Sequence, residues 1–250
     1  MIATNERNAV GRSAVKIARE DLLLIPAPTG TRTWFPVPHG DVVAETETRL
    51  NESGFEIRRA QYSVTGDRMR MFATLDLAST VAPGVSLAVG IRNSNDRAFP
   101  ISFAVGNRVF VCDNLSFSAD VVVTRKHTRF GALRFNQALS VAVQQIGEYR
   151  QTERERISLM QSHEISDDVA NSLILQSFET GILGARSLAE VIAEYRAPRH
   201  AEFSPRTVWS LLNAYTETLK PRMARPGEYA AQTIRLQGLL CRDARYSLAT

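Results

Sequence analysis

The stretch VVVTRKHTRF at 121–130 gathers the side chains that hold anions: Arg125, Lys126, His127 and Arg129, followed by Phe130. Cationic groups neutralise phosphate and an aromatic face stacks on an unpaired base, so the combination suits the backbone of a nucleic-acid single strand. The valines read as the end of a strand and the residues after Phe130 as the start of a helix. A helix N-terminus adds free backbone N–H groups to such a site. It also repels cations, so the cluster costs helix stability unless an anion offsets it. Arg92, Arg97 and Arg108 lie in neighbouring strands and are expected on the same sheet rim, whereas Phe135 belongs to the apolar side of the helix. Over 84–135 these cations, with Arg134, outnumber Asp96, Asp113 and Asp120 by four, which is the whole net charge of +4. The structural alternative is a solvated sheet edge guarded by charge.

Catalytic constellations are sparse. His39, His127, His163 and His200 lie far apart, and Cys112 and Cys241 share no metal-ligand spacing. His163-Glu164 opens like a zinc-binding helix, but position 167 is aspartate where a second histidine belongs. The glycine-rich phosphate loops GxGxxG and GxxxxGK[ST] are absent, so no cofactor is expected. Asp113 and Asp120 flank a strand and could hold magnesium; Asp113-Asn114 fits a turn better, because these side chains bond their own backbone. An enzyme on this chain would have to assemble its site from distant residues, Asp113, Asn114 and His127 among them.

The elements that carry these residues follow from periodicity. DVVAETETRLNESG predicts a helix with Asp41 as N-cap and Gly54 as its stop. The period then changes to two. FEIRRAQYSVTG and RMRMFATLDL form a hairpin about Thr65-Gly66-Asp67, VSLAVGIRN adds a strand, and LSFSADVVVTRK another. FPISFAV and RVFVC read as two strands about a turn at Gly106-Asn107. From 131 onward the pattern is helical, with Phe135, Ala138, Leu139, Ala142, Val143, Ile146 and Tyr149 on one face that should lie on the sheet. Ser166 opens a further helix, Ser187 to Glu190 has the form of a capping box, Ser204-Pro205 starts another helix, and RPGEYAAQTIRLQGLLCRDAR is the last.

The expected class is therefore α+β: a mainly antiparallel sheet of five to seven strands over about 55–126, then packed helices over about 131–245. Residues 1–40, rich in proline, are expected to be irregular, and 41–250 to form one domain, with its sheet at 55–126 and its helical part at 130–250. Hydrophobic residues make up 44% and charged residues 22%, and no apolar run is long enough for a membrane span. The N-terminus lacks the apolar core of a secretory signal, and Glu6, Glu20 and Asp21 argue against a transit peptide. Two distant cysteines suit a reducing cytoplasm, and no membrane partner is expected.

Three blocks in order, GIRNSNDRAFPISFAVGNRVFVCDN, VVVTRKHTRF and TVWSLLNAYTETLK, resemble the phage/plasmid-like proteins of domain of unknown function 932. The features that carry the resemblance are Gly90 in a strand, Val111-Cys112-Asp113-Asn114, the basic helix entry from Arg125 to Arg129, and the helix from Trp209 to Thr216. It spans about 40–245 and implies a mobile-element setting, with no activity and no catalytic residues attached. The layout is also similar to the core of Rad52-like single-strand annealing proteins, an analogy of fold alone.

Three readings follow. The first is a cytoplasmic nucleic-acid-binding protein of phage or plasmid type, gripping single-stranded DNA by its backbone in annealing or recombination. Arg92, Arg97, Arg108, Arg125, Lys126, His127, Arg129 and Phe130 would bear the contacts. The second is a structural or interaction protein, with a homo-oligomer as one form of it. The third is an enzyme around Asp113, Asn114 and His127.

Overall fold

A strand turns successive side chains to opposite faces, so alternating apolar and polar residues give a sheet one dry face and one wet one. The computed structural model describes residues 14–111, 113–221 and 226–246. At its centre is a six-stranded antiparallel sheet whose spatial order is the chain order: β1 (Ala14–Ile17), β2 (Ile57–Thr65), β3 (Arg70–Ala82), β4 (Val85–Ser94), β5 (Ile101–Val109) and β6 (Asn114–Arg125). Tyr62, Ala73, Ile91, Phe103 and Val123 are successive cross-strand neighbours on one face, and all are buried. The other face carries Lys16, Ser63, Phe72, Arg92, Ser102 and Thr124 in an unbroken row across all six strands. This is the α+β arrangement expected, sheet first and helices after.

The helices are α1 (Arg19–Leu23), α2 (His39–Glu52), α3 (Gly131–Gln144), α4 (Ile146–Ser162), α5 (Asp167–Glu179), α6 (Ala185–Arg196), α7 (Val208–Leu219) and α8 (Pro226–Tyr246). Polar residues on the apolar face show which helices cover it. Asn93 reaches His39 at the start of α2 (2.9 Å), and Asn107 reaches Glu153 of α4 (2.5 Å). Phe135, Leu139 and Val143 of α3 and Ile146 at the start of α4 are all buried, so the predicted face lies inward. At Gln145 the continuous helix expected from 131 divides into α3 and α4. α8 runs beside β6: the Thr233 hydroxyl accepts from the Phe117 backbone N–H (3.2 Å) and the Tyr229 hydroxyl donates to the Leu115 carbonyl. Among the described residues no helix is long and apolar enough to cross a membrane.

Several boundaries differ from expectation. The 1–40 segment contains β1 and α1; four residues alternate too briefly to be read, yet their backbone completes the edge of β2. α2 begins at His39 after Pro38, so Asp41 lies within its first turn and does not cap it, while Gly54 ends it at φ +80°. Gly106-Asn107 is not a turn but the interior of β5. A Cβ on Gly106 would stand 2.2 Å from the Ser116 carbonyl oxygen, so the glycine serves a close approach of strands. Ser166 caps α5 through Val169 as expected. Ser187 is already inside α6, which starts after Gly184. α7 starts at Val208, capped by Thr207, because backbone pairing of 163–165 with 206–208 holds the preceding residues extended. Cys112 lies outside the described residues.

Candidate nucleic-acid interface

β4 ends, β5 begins and β6 ends at the same side of the sheet, because Arg92 pairs with Ser102 and Ile101 with Arg125. Arg125, Lys126, Arg129 and Phe130 are all exposed there. Among the described residues none of these cations, nor Arg92 or Arg97, has a carboxylate within salt-bridge distance. By contrast, Arg70 in the same region is neutralised by Asp96 (2.6 Å). Three of the free arginines lie over aromatic rings: Arg92 over Phe99 (5.2 Å), Arg97 over Trp34 (4.7 Å) and Arg129 over Phe130 (5.6 Å). The Phe35 N–H donates to the His127 carbonyl (3.0 Å), which joins the loop that carries Trp34 to the loop that follows β6. Phosphate and base contacts therefore have neighbouring sources on one surface.

Arg92 has the most constrained position. It is half-buried, its Nε donates to Ser102 Oγ (3.2 Å), and burial lowers its pKa from the ordinary arginine value. From it the open face of the sheet runs away from the rim as a groove of about 530 Å³, walled on one side by α8. This groove and the part Lys16 plays in it were not visible in the sequence, because they depend on the register of strands distant in the chain. Only the alternation of small and polar residues with core ones hinted at an uncovered face.

Two of the expected contact residues face elsewhere. Arg108 is 1% exposed; its Nε meets Asp76 at 2.6 Å and a terminal nitrogen meets Asp113 at 3.2 Å, so it is a buried ion pair and not part of the rim. The reason is register: Asp76 stands two strands away on the same face, and Arg59 bridges Asp76 and Asp113 from outside (2.6 Å each). His127 is buried against Trp34, ring centroids 6.5 Å apart, while its neighbours point outward. Burial lowers its pKa, and the Phe35 backbone beside the ring opposes the shift. His39 is neutral by construction: its Nε2 donates to the Arg68 carbonyl (3.1 Å) and its Nδ1 accepts from Asn93. Burial lowers its pKa, and His127 adds to the effect.

The residues of the enzyme reading do not converge. Asp113 and Asn114 precede and open β6, and His127 follows its end; a twelve-residue strand spans about 40 Å at most. Asp113 sits in a turn at φ +58° and Asn114 bonds Asn213 of α7 (3.2 Å). Among the described residues no three His, Cys, Asp or Glu side chains are grouped to hold a metal.

A family model, described as Domain of unknown function (DUF932), matches residues 30–239. The chain belongs to this family. The DUF932 domain so defined takes in the Trp34 loop, ten residues earlier than the resemblance had suggested, and leaves β1 outside. No curated protein and no solved structure matches the chain.

Proposed function

We propose that this DUF932 domain binds nucleic-acid single strands through the rim formed by Arg92, Arg97, Arg125, Lys126 and Arg129. The observation that carries the reading is the set of three arginine–aromatic pairs at one end of the sheet, with no carboxylate in salt-bridge reach among the described residues. Most protein surfaces intersperse charges of both signs, as this chain does at Arg49 between Glu45 and Glu52 and at Arg199 between Glu194 and Glu217; among the described residues a single further pair of the rim's kind, Arg58 over Phe110, lies at the opposite end of the sheet. Unpaired guanidinium groups beside ring faces suit a polymer that alternates phosphate with flat bases. Backbone contact of this type does not read sequence.

The test is a titration of labelled single- and double-stranded oligonucleotides at several salt concentrations. Five phosphate contacts on a single strand correspond to a log affinity against log salt slope of roughly −3.5. Tighter binding of single than of double strands, with that slope and little sequence dependence, is the expected result. No binding to any oligonucleotide at low salt removes the proposal.

A further inference from the structure

The groove behind the rim has a size and a chemistry of its own. Its volume of about 530 Å³ falls within the range that holds one small ligand, roughly 300–1,000 Å³. Its floor is low because the cross-strand neighbours Thr74, Gly90 and Ala104 carry small side chains. Gly90 can be nothing larger: a Cβ there would meet the Phe117 ring at 2.6 Å, so that ring lies against the strand and makes part of the groove lining.

The two ends of the groove differ in charge. At the far end the cations Arg59 and Arg108 are balanced by Asp76 and Asp113. At the near end Arg92 and Lys16 lie in one cross-strand row with Phe72 between Arg92 and Ser63, and neither has an acidic partner among the described residues. A half-buried charge without a counter-ion is costly, and an anion supplied by a ligand would complete it. Phe72 is half-buried, with Phe99 beside it at 5.5 Å, and offers a ring face next to that anion site. Gln61 and Thr74 add hydrogen-bonding groups in the next row, both lining the groove. An acyl chain would leave those groups unpaired; the edge of a heterocyclic base would not.

We infer that this groove is a receptor for one nucleotide unit, its base set against Phe72 and the Ala104 floor and its phosphate held by Arg92, with the Lys16 charge further along the same row. For a nucleotide within a strand this rests on the proposed function; for a free mononucleotide it does not. Arg92 would then serve both rim and groove, so that a strand crossing the rim turns one base into the sheet.

The parent protein is titrated with a mononucleotide, dAMP or dTMP, and separately with a single-stranded oligonucleotide of the same bases, and the NMR resonances of Thr74, Ala104, Val122, Arg125 and Phe130 are followed. Ala104→Phe, which fills the floor one row behind Arg92 and away from Arg125, Lys126 and Arg129, is titrated alongside after its melting curve is compared with that of the parent. The expected result is movement of Thr74, Ala104 and Val122 in the parent, with affinity lowered by roughly tenfold or more in the variant. Movement with the oligonucleotide alone assigns the groove to a base within a strand. Movement with the mononucleotide while oligonucleotides fail to bind supports a receptor for free nucleotide and removes only the rim proposal. Oligonucleotide binding that moves Arg125 and Phe130 but leaves the groove resonances still overturns this inference and spares the rim. So does a folded Ala104→Phe variant with parental affinity, and so does silence toward both probes.

Discussion

Arg108 of β5 and Asp76 of β3 meet at 2.6 Å across the intervening strand, both almost completely removed from water. The pair is held in a low-dielectric setting, and removing one partner leaves the other charged and stranded. Asp76→Ala is expected to cost roughly 3–5 kcal/mol. Replacing both with apolar residues of similar volume should recover most of that loss. Urea unfolding of the two single variants and the double variant checks it; additive losses would mean that the two charges are independent.

The same burial separates Arg108 from binding. Removal of Arg125, Lys126 and Arg129 together should weaken binding to all sequences alike and flatten the salt slope by about 2, from three lost phosphate contacts. These residues are exposed, so stability should change by less than about 0.5 kcal/mol for each. Anisotropy titrations across a salt series measure the slope. An unchanged slope would take this cluster out of the interface.

Leu139 of α3 is fully buried in the core between helix and sheet. Leu139→Ala should cost roughly 2–5 kcal/mol through lost burial and the cavity left behind. A loss of a few tenths of a kcal/mol in a denaturant series would contradict the packing described.

Stability should also depend on pH through His39 and His127. Both pKa values are lowered from 6.5 by burial, so below that pH the unfolded chain takes up protons that the folded chain refuses. Their contribution is complete above about pH 6.5 and is lost as pH falls, by up to about 1.4 kcal/mol per pH unit for each histidine. Glu153, whose carboxyl pKa is raised by burial, acts in the opposite sense, but it is common to parent and variant and cancels in their comparison. His127→Leu should therefore flatten the pH dependence between about pH 6.5 and 5.5, seen as a smaller shift in melting temperature. Equal shifts in parent and variant would place the proton uptake elsewhere.

Much of the architecture could be read before any coordinates, because alternation and helical periodicity are local. Met71, Leu75, Val89 and Ile91 announced their strands, and Ser166 its helix. The misreadings have a common origin in contacts made far along the chain. Gly106-Asn107 has the composition of a turn, but the glycine is demanded by the neighbouring Ser116 backbone and the asparagine by Glu153. Arg108 looked like a surface cation until register set it opposite Asp76. His127 follows two exposed cations, yet its ring turns inward to Trp34, a residue from the proline-rich segment. The exposed members of the cluster lie at the surface because no distant side chain among the described residues claims them.

The hydrogen bonds from Thr233 and Tyr229 to β6 also bear on self-association. They occupy backbone groups at Phe117 and Leu115 that would otherwise template an incoming strand, and the irregular register between β5 and β6 further spoils that border. Among the described residues the opposite border is β1, only four residues long. A border that short presents few backbone groups to a second copy. The guarded stretch of β6 and the brevity of β1 therefore both weigh against edge-to-edge growth into a fibre.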